Sequence, residues 1–109
     1  MLKLKSGVRL HGIASQMILA AIIADGIYTE QGVMECWITT GIDGVHKVAS
    51  DHYRGDALDF RVHNIPQEKR GLILEAIRVS LGEDYDVLHE YIGTENEHFH
   101  VQWKPKNSY

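Results

Sequence analysis

Two short stretches decide most of what this chain can fold into: ALDFRV at 57–62 and HFHVQW at 98–103. In each, apolar side chains fall on every second residue. Leu58, Phe60 and Val62 share one side of the first stretch, and Ala57, Asp59 and Arg61 the other. In the second, Phe99 and Val101 oppose His98 and His100. A strand places alternate side chains on opposite faces, so both segments ask for a sheet with one face buried and one polar. VMECWITT (33–40) alternates as well, with Met34, Cys36 and Ile38 on one side. YDVLHEYI (85–92) reads as a fourth strand, joined to the last by the polar turn GTENE.

The buried face needs a cover, and two segments supply it. IASQMILAAIIAD (13–25) is rich in helix formers and apolar nearly all round, the pattern of a largely buried helix, with Gly26 as its expected stop. NIPQEKRGLILEAIRVSLG (64–82) reads as a second helix. Asn64 and Gln67 have capping-box spacing, Pro66 lies in the first turn, and Gly82 ends it. Ile73, Ala76, Ile77, Ser80 and Leu81 form its inward stripe. Between the second and third elements runs GIDGVHKVASDHYRGD (41–56), a glycine-spaced loop without a period. Loops of this length in a small domain usually carry function. The order helix, strand, long loop, strand, helix, strand, strand predicts a single α+β domain over 1–109: a small, mostly antiparallel sheet with helices packed on it.

Charge and cysteine content narrow the function classes. The net charge is −4 and no basic run stands out, which argues against nucleic acid as a partner. The longest apolar run, MILAAIIA, is far too short to span a membrane. The single cysteine, Cys36, reads as a small core hydrophobe, so nothing requires an oxidising compartment. The N-terminal stretch lacks the apolar run of a secretion signal, so synthesis into the cytoplasm is expected, with any action at a cell wall following release or carriage on a virion.

The polar side chains carry the chemistry. Gly55 lets the chain turn so that His52 folds back toward Asp59, while Ala57 is too small to crowd that carboxylate. His52, Asp59 and one of His98 and His100 then make a three-ligand metal site if the two strands are adjacent. Three protein ligands and one open position are the arrangement of catalytic zinc, and the absence of clustered cysteines argues against a structural zinc knot.

Ser50, His52, Gly55, Ala57 and Asp59 match the pattern S-x-H-x-x-G-x-A-x-D, and Glu97-His98-Phe99-His100 satisfies both Glu-x-x-His and His-x-His. Together these resemble the zinc D-alanyl-D-alanine carboxypeptidases and their phage endolysin relatives, a superfamily that includes lysostaphin-type peptidases and the hedgehog signalling domain. The resemblance covers roughly residues 33–106 and is greatest to small phage-encoded members. It implies one zinc ion held by His52, Asp59 and His100, with Glu97 as general base and His98 assisting at the tetrahedral intermediate. It implies hydrolysis of an amide in peptidoglycan peptides, of D-Ala-D-Ala carboxypeptidase or L-Ala-D-Glu endopeptidase type. A zinc-binding module of the same fold without catalysis is the alternative.

Glu95 and Glu90 stand as alternative bases. Ser50 is expected to brace the loop, and Arg54 or Arg61 to meet a substrate carboxylate. Where many family members carry a substrate-holding arginine, this chain reads GIDGVH, offering Asp43 and His46 instead. His11, His63 and His89 belong to no constellation and are expected to be solvated or locally hydrogen-bonded.

Overall fold

The alternation in the two decisive segments is realised as the centre of one sheet. In the computed structural model, which describes residues 1–43 and 55–106, the elements in chain order are β1 (Leu2–Leu4), α1 (Ser15–Glu30), β2 (Cys36–Thr40), β3 (Ala57–Arg61), α2 (Gln67–Leu81), β4 (Tyr85–Glu90) and β5 (His98–Trp103). The strands lie in the order β1-β2-β3-β5-β4. Only the β1–β2 pair is parallel; the other three pairs are antiparallel. The fold is therefore α+β, as the element order predicts.

The sheet buries one face against both helices, which also touch each other. Met17, Ala20, Ala24 and Tyr28 of α1 and Ile73 and Ile77 of α2 meet Ile38, Leu58, Phe60, Phe99 and Val101 in one core. Cys36 belongs to it as expected; burial, and then the charge of Asp25, push its thiol well above the usual range. No helix among the described residues is long and apolar enough to cross a membrane.

Five local expectations are corrected. The N-terminal stretch forms a strand, β1, hydrogen-bonded to β2 with Leu2 opposite Cys36 and Leu4 opposite Ile38. Helix α1 runs through Gly26 to Glu30 and stops at Gln31, just before Gly32 with φ +81°. A mid-helix glycine costs roughly 0.5–1 kcal/mol relative to alanine. Burying Ile27 and Tyr28, whose hydroxyl donates to the Arg61 carbonyl at 2.7 Å, outweighs that. Asn64 does not cap α2, whose N-cap is Pro66 without a side-chain hydrogen bond; its Nδ2 donates to the Glu35 carbonyl at 2.8 Å instead. Finally, Met34 is exposed ahead of β2, and Ser80 is exposed on α2 where Leu74 packs on the core in its place.

Gly55 is required where it stands. It adopts φ +77°, and a Cβ there would lie 2.6 Å from the Gly12 carbonyl oxygen. Its own carbonyl accepts the Ala14 N–H at 2.9 Å, so the start of α1 is tied to the start of β3.

Candidate metal centre

The open face of the sheet carries the polar half of each alternating strand. Register places Asp59 of β3 directly opposite His100 of β5, and Arg61 opposite His98. On the far side of β5, Leu88 faces His100 and Glu90 faces His98. Side chains facing across neighbouring strands sit about 5 Å apart at Cβ. One acid from β3, two imidazoles from β5 and one acid from β4 therefore converge by register alone.

Asp59, His98 and His100 are the one group of three such side chains, among the described residues, whose ligand atoms all lie within 4.8 Å of one another. Asp59 is 7% exposed, and a carboxylate so buried demands compensation. Its Oδ1 lies 2.8 Å from His100 Nδ1 and 3.7 Å from His98 Nε2. Tetrahedral zinc with bonds of about 2.0–2.1 Å keeps its ligand atoms about 3.3 Å apart. The two separations, 2.8 and 3.7 Å, bracket that value.

The orientation of the imidazoles fits the same purpose. His98 Nδ1 lies 2.7 Å from the Asn96 carbonyl, which can only accept, so that nitrogen carries the proton and Nε2 is turned toward Asp59. His100 Nε2 lies 2.7 Å from Gln102 Oε1, leaving Nδ1 toward Asp59. Metal-ligating histidines are typically anchored in this way through their second nitrogen. Burial pulls the His100 imidazolium down, but hydrogen bonds to Asp59 and Gln102 and the charges of Asp59 and Glu90 outweigh it, so its pKa is raised. Two carboxylates drawn toward one point favour a cation there.

Glu90 closes the fourth side, with Oε1 3.0 Å from His98 Nε2 and 4.0 Å from His100 Nδ1. Glu97, the base that the resemblance implies, has another position. Its carboxylate receives the Gly93 N–H at 3.1 Å, Arg70 Nη1 at 3.2 Å and His89 Nε2 at 2.6 Å. His89 pairs with Phe99 across β4 and β5, and its ring meets the Phe99 ring edge-on at 5.1 Å, on the helix side of the sheet. Glu97 thus ties α2, β4 and the intervening turn together beside the Asp59–His98 cleft. The Gly93 hydrogen bond first, then His89 and Arg70, hold its pKa below the usual carboxylate value despite burial. The resemblance makes Glu97 the general base; its carboxylate is engaged by these three donors, and Glu97 also lines the cleft that Asp59 and His98 line. Glu95 is exposed on the same turn, its carbonyl 3.1 Å from His63 Nε2.

Of the remaining sequence candidates, Ser50, His52, Arg54 and His46 lie outside the described residues. Asp43 braces the main chain, its Oδ1 accepting the N–H of Arg9 and of Gly41, each at 2.9 Å. His89, unassigned from sequence, is a partner of Glu97, and strand parity was the signal available for both, since Glu97 shares the side of Phe99. Gln102 was also missed, although it shares the side of His98 and His100. Beside the centre opens a cleft of about 470 Å³ lined by Asp59, His98, Arg61, Lys5, Tyr91 and Glu95 among others. Tyr91 leaves β4 with φ 54°, a costly conformation for an aromatic residue, and its ring lies 5.7 Å from that of His98. No protein-family model matches this chain, and no curated protein sequence matches it.

Proposed function

We propose that the protein is a zinc-dependent peptidase that hydrolyses an amide bond in peptidoglycan peptides. The observation that carries the reading is the convergence of Asp59, His98 and His100 beside an open cleft, with a further carboxylate, Glu90, in contact with the group. The ligand motif around His52 and Asp59 supplies the substrate class through its resemblance to cell-wall peptidases. A zinc ion held by Asp59, His98 and His100 would supply a Lewis acid for the amide carbonyl and would bring the pKa of a bound water near 7.

The residues divide the remaining work. Asp59, His98 and His100 would hold the cation, leaving a fourth position for water. Glu90 Oε1 takes the proton of the attacking water and returns it to the leaving amine nitrogen, the role the resemblance gives to Glu97. His98, with Nδ1–H on the Asn96 carbonyl and Nε2 toward the cation, is a ligand in this reading and not the proton carrier that the resemblance implies. Asn96 and Gln102 fix the ring orientations.

One observation favours the second reading, a zinc-bearing binding module without catalysis: the carboxylate of Glu97, the motif's own acid, is engaged by Arg70, His89 and the Gly93 N–H. Mass spectrometry of purified wall-peptide fragments incubated with the zinc-loaded protein, with and without chelator, separates the two. The peptidase reading expects about one zinc per chain and chelator-sensitive cleavage. Bound zinc without cleavage leaves the module, and a chain that takes up no divalent ion refutes both.

A further inference from the structure

Helix α1 presents an apolar face that the rest of the described chain leaves uncovered. The residues it turns to the core, among them Met17, Ala20, Ala24 and Tyr28, occupy one side of the helix. At 3.6 residues per turn the opposite side carries Ser15, Ile18, Leu19, Ile22, Gly26 and Thr29, all exposed. Ile18, Leu19 and Ile22 are 52, 53 and 60% exposed. The face continues onto β1, where Leu2 and Leu4 are exposed as well. Together with Leu10, Ile18, Ala21 and Ile22 they line an apolar groove of about 230 Å³. A helix that is apolar all round is ordinarily buried all round, and one side of this helix is not.

Charge decides which surface fits. Helix α1 contains no lysine or arginine, and Asp25 at the margin of the face pairs with the N-terminal amine at 3.0 Å. The lysines of the N-terminal stretch serve the other face of the sheet: Lys3 lies 5.6 Å from the Trp37 ring, and Lys5 lines the cleft beside the metal centre. An anionic lipid surface selects basic residues around its apolar contact, and a charged protein partner selects the opposite charge. A neutral apolar face is instead what two identical surfaces need to meet without repulsion. The spacing is self-complementary too. Ser15 and Thr29 lie equally far before and after Ile22, as do Ile18 and Gly26. A second copy, antiparallel and related by a two-fold axis at Ile22, sets Ile18 and Leu19 over its Gly26, where no side chain stands, and Ser15 beside its Thr29. We infer that α1 is the interface of a homodimer, packed through Ile18, Leu19 and Ile22 with Leu2 and Leu4 at the rim. Each of these five aliphatics leaves roughly 100 Å² uncovered, about 500 Å² in all, near the upper end for the largest apolar patch of a monomer. With the rest of the stripe the face reaches the ~600 Å² per partner of small specific interfaces, enough for micromolar association. The metal centre is on the other face of the sheet, so both clefts stay open in the dimer. The inference does not depend on the peptidase reading.

The test is sedimentation velocity of the full chain from micromolar to millimolar concentration. Wild type is expected to pass from monomer to dimer across this range. Ile22→Glu puts two carboxylates face to face at the two-fold axis and should weaken the dimer at least about 100-fold, with the circular dichroism of wild type because Ile22 is exposed. Ile22→Cys gives a positive readout. On helices about 8–10 Å apart the two Cα atoms at the axis lie about 4–6 Å from each other, within disulfide reach. Oxidation by copper phenanthroline should therefore cross-link Ile22→Cys, and not Val79→Cys, which is exposed on α2 away from the face; Cys36 is buried in both. A wild type that stays monomeric at millimolar concentration overturns the inference, as does a dimer that Ile22→Glu leaves intact or that cross-links as readily through Val79→Cys. A monomer that sediments with phosphatidylcholine–phosphatidylglycerol vesicles, and loses this in Ile22→Glu, assigns the face to lipid and overturns it too.

Discussion

Replacing Glu97 by glutamine separates a structural acid from a catalytic one. The carboxylate is buried and receives three donors, from Gly93, Arg70 and His89. Glutamine keeps an acceptor for Gly93 but turns an amide toward donors of Arg70 and His89, leaving a buried cation without its counter-charge. Breaking a buried ion pair on one side costs about 3–5 kcal/mol. The partner side chains are 16% and 15% exposed, so water reaches them in part and the expected loss is nearer ~2–3 kcal/mol. For a domain of this size that corresponds to a fall of about 8–15 °C in Tm. Glu90→Gln is the contrasting variant. The Glu90 side chain is 37% exposed and its hydrogen bond is to His98, so its loss should cost under about 1 kcal/mol. Yet it removes the acid beside the metal centre, and cleavage should fall about 10²–10⁴-fold. Urea denaturation of the chelator-treated variants gives the stabilities, and wall-peptide cleavage by the zinc-loaded variants below their melting range gives the rates. If Glu97→Gln is as stable as wild type and inactive, while Glu90→Gln keeps its activity, the roles of the two acids are the reverse of those given above.

Two further outcomes test the fold around the site. Gly26→Ala should stabilise the protein by about 0.5–1 kcal/mol, because Gly26 is inside α1 and a Cβ there meets nothing within 4 Å; a lowered Tm would show that the helix is not continuous through it. Asp43 should make stability pH-dependent. Burial raises its pKa, but the N–H groups of Arg9 and Gly41 and the charge of Arg9 outweigh this and lower it from 3.8. Its contribution is therefore complete above pH ~4 and lost as pH falls through the depressed value, by under about 1 kcal/mol for so accessible a group. Urea titrations should find Asp43→Asn less stable than wild type at pH 5 and the gap closing toward pH 3; a constant gap would assign the effect to shape and not charge.

The sheet was legible where a two-residue period survives. Ala57–Arg61 and His98–Trp103 are strands because Leu58, Phe60, Phe99 and Val101 must face helices while their neighbours need not. Local signals failed where tertiary contacts override them. Gly26 reads as a stop, yet the burial of Tyr28 and its bond to Arg61 carry the helix onward. Asn64 reads as a cap, yet the Glu35 carbonyl is within its reach. Three residues at the N-terminus are too few to show a period, and β1 exists because β2 offers a free edge to Leu2–Leu4.

The same parity bears on the site, and there it competes with motif. Spacing along the chain groups Glu97 with His98 and His100, but a strand sends residues 97 and 99 to one face and 98 and 100 to the other. The structure follows parity: His89 and Glu97 pair behind the sheet, and Glu90 and His98 pair in front. The two contacts stand back to back, on adjacent residues of β4 and on the adjacent pair where the turn enters β5. The buried contact therefore fixes the separation at which the exposed one is held. A rigid acid on the helix side is a reason for Glu90 and His98 to meet at 3.0 Å on the other.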